Sequence, residues 1–286
     1  MPKTPYQVVL PEQRTTSVVF SSPHSGRDYG WSFLRKSVLD GVAIRSSEDA
    51  FVDQLFEGAP DYGAPFIHAT TPRAYLDLNR SAEELDPALV EGVRKATHNP
   101  RIASGLGVIP RVVSNGRSIY SGKITMGEAR ARIEGHWQPY HDRLQSLLDE
   151  SLALFGEAIL IDCHSMPHEA IDTLAQSGIA RAEVVLGDRF GAAAHPEVMD
   201  QVEAAFVSAG LSVARNAPFA GAYITQHYGR PSRRQHVIQV EIDRSLYMNE
   251  ARIRPNGNFK NFRNMMQQVM ADIARIGRRR VSLAAE

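Results

Sequence analysis

An α/β layered fold around a mainly parallel or mixed sheet is the class this sequence predicts, and three observations carry it. Short apolar runs of strand length interleave with longer segments of helical period, the order expected when helices cover a sheet. No internal repeat or low-complexity linker divides the 286 residues, so one domain is expected over 1–286, with 278–286 as a peripheral tail. Ionisable residues collect where the apolar runs end, and ligands of open α/β sheets sit beyond the carboxyl ends of strands.

The first apolar run, residues 17–21, reads as a buried strand passing into the turn-rich Ser22-Pro23-His24-Ser25-Gly26. Residues 48–56 predict a helix, with Ser46 and Ser47 as caps and Phe51, Val52, Leu55 and Phe56 on its apolar side. Residues 64–69 read as a second strand, and the alternating residues 73–79 as a third. Residues 99–122 lack periodicity, and loops of that length are often functional. A long helical pattern follows at 128–154, then the strongest strand of the chain at 157–163. Weaker strands at 183–186 and 211–214 flank a helix at 197–209. A strong strand at 236–242 and an amphipathic helix at 259–276 complete the pattern, and the basic residues 278–280 read as a solvated tail.

Composition narrows the function classes. The chain is 43% hydrophobic and 22% charged, which is globular rather than disordered. Lys+Arg and Asp+Glu both number 32, so there is no basic excess for a nucleic acid or an anionic membrane. The single cysteine, Cys163, forms no intramolecular disulfide and fits a reducing compartment. Residues 1–10 have no signal-peptide pattern, and no apolar run approaches the ~18–20 residues that span a bilayer. A soluble cytoplasmic protein is expected, its oligomeric state open.

Alternation along the strands sorts the polar residues. Asp162 and His164 point to one face and Cys163 to the other, where it reads as a small buried hydrophobe rather than a catalytic thiol. Glu241 and Asp243 share a face opposite Val240 and Ile242. A carboxylate in such a strand needs a partner. Glu241 is therefore either in a salt bridge with an arginine such as Arg244, or catalytic. His24 and His164 are either hydrogen-bonded loop histidines or two ligands of a zinc site that keeps one position open.

Six segments then come in a recognisable order. They are Ser22-Pro23-His24-Ser25-Gly26, Asp77-Leu78-Asn79-Arg80, Leu160 through Pro167, Leu186-Gly187-Asp188-Arg189-Phe190-Gly191, Gly221-Ala222-Tyr223-Ile224-Thr225, and Gln239 through Tyr247. Together they resemble the N-formylglutamate amidohydrolases, of the zinc carboxypeptidase-like and aspartoacylase-like superfamily. The resemblance covers about residues 18–247. It implies a three-layer α/β/α sandwich with a mixed central sheet, and hydrolysis of N-formyl-L-glutamate to formate and glutamate, late in histidine degradation.

It also implies a site. His24 and His164 would hold zinc, or another divalent ion. Zinc carboxypeptidases take an acid ligand three residues after the first histidine, but Arg27 stands there in this chain. Glu48, Asp49 and Asp53 are the candidates instead, and the family pattern carries an acid matching Asp49. Glu241 matches the general base. Arg80 would bind a carboxylate or stabilise the oxyanion, a role suited to its planar fork. Arg73, Asn79, Tyr223 and Arg244 would line the substrate pocket. Ala222 departs from the family, which often has glycine there. Two other readings remain: the same mechanism on a different small amide, and a metal-free binding relative.

Overall fold

The computed structural model describes residues 4–94, 99–171 and 181–278. In chain order these form β1 (Tyr6–Val9), β2 (Val18–Ser22), α1 (Trp31–Leu34), α2 (Val52–Phe56), β3 (Phe66–Ala69) and α3 (Pro100–Ala103). Then come α4 (Met126–Arg132), α5 (Gln138–Phe155), β4 (Ala158–Met166), β5 (Val184–Gly187), α6 (Pro196–Ser208) and β6 (Val213–Arg215). The last are α7 (Tyr223–Tyr228), β7 (Gln235–Asp243), a small β8 (Met248–Asn249) and β9 (Arg254–Pro255) hairpin, and α8 (Phe259–Ile276).

The main sheet has seven strands in the order β1-β3-β2-β4-β7-β5-β6. Strands β3, β2, β4 and β7 run parallel, β1 is antiparallel to β3, and β5 is antiparallel to β7 but parallel to β6, so the sheet is mixed. Each central strand is buried on both faces and sorts its side chains by parity. Ile159, Ile161 and Cys163 of β4, with Ile238, Val240 and Ile242 of β7, pack under α2, α6 and α8. Leu160 and Val237 pack on the opposite face under α5 and α7. The result is the expected three-layer α/β/α sandwich. Each fully buried Leu, Ile or Val contributes roughly 1.5–3 kcal/mol.

Three expected elements differ. Residues 73–79 are not a strand: the Pro72 carbonyl accepts from Tyr75 and Leu76 N–H in successive turns, and Asp77 N–H donates to Val108 O across a loop. Their alternation still sorts faces, because Ala74, Leu76 and Leu78 are buried in the α5-side core. The helix expected over 48–56 begins only at Val52, because Asp49 N–H donates to His24 O and Phe51 is left-handed at φ 68°. The helix expected over 128–154 is continuous but contains a π segment, Ile133–Trp137, between α4 and α5. Pro139 lacks the N–H for the preceding turn, and a wider turn absorbs that loss. Of the basic tail, Arg278 is exposed, and residues 279–280 lie outside the described residues.

Among the described residues, no helix is long and apolar enough to cross a membrane.

Candidate active site

His24 follows the carboxyl end of β2 by two residues, and the carboxyl ends of β4 and β7 lie beside it. What brings the irregular segments in is close backbone approach. A Cβ at Gly26 would lie 2.1 Å from Thr71 O, so only glycine lets the His24 loop rest on the chain leading to Asp77.

His24, Asp49 and His164 are buried and turn their ligating atoms toward one another, all within 4.8 Å. His24 Nδ1 lies 3.5 Å and His164 Nδ1 2.9 Å from the same atom, Asp49 Oδ2. Ligands sharing one tetrahedral ion at ~2 Å lie ~3.3 Å apart, so these separations suit a common ion. The opposite ring nitrogens are held by carboxylates. His24 Nε2 lies 2.7 Å from Asp77 Oδ1, and His164 Nε2 lies 2.9 Å from Asp162 Oδ2. Such outer carboxylates orient a metal-binding histidine and raise its basicity. His24 Nδ1 is buried with no hydrogen-bond partner, a vacancy in the polar accounting that a cation would fill. The donor set therefore fits a divalent metal of the zinc type.

Charge supports the same reading. Burial opposes a positive His164, but Asp162, Asp49 and Glu241 hold its pKa well above the ordinary value. Burial opposes a negative Asp77, yet Arg73, His24 and Arg80 hold it well below the usual carboxylate range. The cluster demands a positive charge at its centre, which a proton or a metal ion supplies.

The structure separates the three acids that the sequence left open. Glu48 is gripped by Arg45 through two contacts of 2.9 and 3.0 Å, and Asp53 pairs with Arg27 at 2.9 Å. Asp49 alone of the three meets both histidines, and its other oxygen accepts from Arg244 Nη2 at 2.9 Å.

Glu241 is buried beside this group without the salt bridge to Arg244. Its Oε1 accepts from Gln239 Nε2 at 2.9 Å. Burial pushes its carboxyl up to about 7, with Asp49 adding to that and His164, Arg73 and Arg244 opposing it. Gln239 itself is oriented by Ala222 N–H, which donates to its Oε1 at 3.1 Å. Ala222 has φ −115°, so an alanine is unstrained there, whereas Gly221 at φ +110° needs to be glycine.

These groups line a cavity of about 560 Å³. Of the residues singled out by sequence, His24, Asp49, Arg73, Asn79, Arg80, His164, Glu241 and Arg244 line it. Arg73 Nε contacts Asp77 Oδ2 at 3.1 Å. Asn79 is committed to the protein: its Oδ1 accepts from Ile224 N–H, and its Nδ2 lies 3.3 Å from His164 Nε2. Arg80 donates from Nε to Leu106 O and from Nη1 to Asn79 O. Tyr223 lies outside the lining: its ring stacks on His227 and meets Trp137 and His141.

Sequence reading missed Gln239 and Arg101 as site residues. Gln239 was detectable, two residues before Glu241 on the same strand face. Arg101 had no signal beyond the length of the 99–122 loop, which forms one wall of the cavity.

Comparison with known proteins shows which family shares this sequence and fold. A family model described as N-formylglutamate amidohydrolase matches residues 16–248. A protein of Pseudomonas putida named N-formylglutamate deformylase is 30% identical over 240 residues, 82% of each chain, and one from Pseudomonas aeruginosa matches to the same extent. The crystal structure of an N-formylglutamate amidohydrolase from Ralstonia eutropha JMP134 superposes with a TM-score of 0.89 at 34% identity, covering 96% of this chain and 98% of that one. A gene product of Agrobacterium tumefaciens shares the fold at a TM-score of 0.65 and 15% identity.

Proposed function

Because this chain belongs to the N-formylglutamate amidohydrolase family, we propose that it hydrolyses the amide of N-formyl-L-glutamate to formate and glutamate, with a zinc or similar divalent ion as cofactor. The observation that carries the metal reading is the convergence of His24 Nδ1, His164 Nδ1 and Asp49 Oδ2 beside a buried Glu241.

His24, Asp49 and His164 would hold the ion, with Asp77, Asp162 and Arg244 fixing their orientation. When bound, the ion supplies Lewis-acid polarisation of the scissile carbonyl and of the attacking water. Glu241 takes one proton from that water as its oxygen adds to the formyl carbon. It then returns the proton to the amine nitrogen as the C–N bond breaks, so formate and the amino acid leave and the carboxylate is regenerated. Arg73, beside Asp77, offers its remaining donors to the developing oxyanion. Arg80 presents the rest of its guanidinium to a substrate carboxylate.

The test is elemental analysis of the purified protein followed by turnover of N-formyl-L-glutamate with and without chelator. About one equivalent of metal and chelator-sensitive formate release are expected. Formate release from metal-stripped protein would sink the metal reading. Metal-loaded protein that leaves N-formyl-L-glutamate intact but cleaves another N-acyl amino acid would move the substrate assignment.

A further inference from the structure

The charges around the cavity are unevenly matched. Its lining includes Arg73, Arg80, Arg101 and Arg244 against Asp49, Asp77 and Glu241. Arg73 is in contact with Asp77, and Arg244 with Asp49. Arg80 spends Nε and Nη1 on carbonyl oxygens and contacts no carboxylate among the described residues. The Arg101 guanidinium likewise has no hydrogen-bond or ion-pair partner among them, and its charge lies close enough to work against that of Arg80. Two like charges without an ion-pair partner among the described residues therefore line the same cavity as the metal-type cluster and Glu241.

Arg101 is seated there by the fold. It lies on α3, whose cap residue Asn99 accepts from Arg101 N–H and Ile102 N–H through Oδ1. Asn99 Nδ2 donates to Glu84, and Leu106 N–H donates back to Arg101 O. Arg80 Nε grips Leu106 O, so the two arginines are tied to one loop. Of the acids that act on Arg80, Asp77 is taken up by Arg73 and His24, and Glu84 by Ser81 N–H and Asn99 Nδ2.

We propose that Arg101 is the specificity-determining residue that binds the side-chain carboxylate of the substrate, while the deeper Arg80 binds its α-carboxylate. This rests on the hydrolase reading above and adds to it. The site selects N-acyl derivatives of acidic amino acids, because a neutral side chain leaves Arg101 without a partner. With Asp49, Asp77 and Arg244 already paired, a dicarboxylate supplies one anion to each unmatched arginine, and a monocarboxylate supplies only one.

The experiment compares kcat/KM for N-formyl-L-glutamate and its neutral isostere N-formyl-L-glutamine in the metal-loaded parent, Arg101→Gln and Arg101→Lys. The parent should prefer the glutamate substrate. Arg101→Gln should lose roughly 10- to 100-fold on it, the range for a hydrogen bond to a charged group, and stay within about twofold on the glutamine substrate. Arg101→Lys should recover part of the loss. The thermal midpoint should barely move, because the guanidinium makes no hydrogen bond or ion pair among the described residues. An unchanged ratio between the two substrates, or an equal loss on both, would overturn the assignment. If the parent itself fails to cleave N-formyl-L-glutamate, the hydrolase reading falls instead, which a normal parent with an unchanged ratio does not imply.

Discussion

Replacing Glu241 with Gln separates catalysis from stability, and the two should move in opposite directions. Gln has nearly the same shape and keeps an oxygen to accept from Gln239 Nε2. It cannot take a proton from water, so kcat should fall by roughly 10²–10⁴ while metal content stays the same. The stability effect follows from burial. In the metal-free protein the Glu241 carboxyl rises from an ordinary 4.5 to about 7. The native state thus holds this proton more tightly than the unfolded chain does. The penalty is absent below pH 4.5, grows between 4.5 and 7, and is complete above 7, where it amounts to about 3 kcal/mol. Glu241→Gln carries no such penalty. Urea unfolding of metal-free parent and variant should therefore agree near pH 4.5 and diverge by up to about 3 kcal/mol in favour of the variant at pH 8. A difference that did not change with pH would refute the desolvated carboxylate. Loss of metal in the variant would make Glu241 a ligand, and a kcat near that of the parent would remove it from the chemistry.

The other site residues give sharper, single-valued expectations. Asp162→Asn removes the anion behind His164 and should weaken metal binding about 10- to 100-fold in a chelator competition; unchanged affinity would show that orientation, not charge, is what Asp162 provides. Arg244→Met removes one charged hydrogen-bond donor from the buried Asp49 carboxylate, which keeps His24 and His164, and should cost about 1–3 kcal/mol in chemical denaturation of the metal-free protein, whereas a mere loss of affinity for substrate would return Arg244 to substrate binding. Arg80→Lys keeps the charge but cannot hold Leu106 O, Asn79 O and a ligand together, so kcat/KM for N-formyl-L-glutamate should drop at least about tenfold; parental kinetics would pass the carboxylate role to Arg73.

How far the sequence spoke depends on whether a residue sits in a repeating pattern. Period-two alternation set Asp162 and His164 of β4 against Cys163, and Glu241 and Asp243 of β7 against Val240 and Ile242, and the amphipathic helix at 259–276 was legible to its ends; that the two polar faces coincide comes from the register of the strands. The segment 73–79 has the same alternation but no strand partner; its backbone groups go to Pro72 O and Val108 O, which no local pattern announces. Asp49 was indistinguishable from Glu48 and Asp53 by type and position, because what separates them is the partner each finds: the histidines, Arg45 and Arg27. Arg101 was invisible because its place on the cavity wall depends on how the unpatterned 99–122 loop folds back to Arg80 through Leu106, which no periodicity announces.

Strand register makes fold and chemistry a single requirement. In the parallel pairing of β4 with β7, His164 lies opposite Glu241 and Asp162 opposite Gln239. The same-face rule then sets a metal-type ligand beside the base, and the outer carboxylate of that ligand beside the glutamine that orients the base. A slip of one residue in β7 would turn Gln239, Glu241 and Asp243 into the layer that now holds Ile238, Val240 and Ile242, each fully buried under α2, α6 and α8. Burying each polar group there without a partner costs roughly 2–7 kcal/mol, comparable to the net stability of a whole domain once three are counted. The alternative register is therefore excluded by residues that never meet the substrate. The apolar parity of β7 on the far face is what holds Glu241 at its station on the near one.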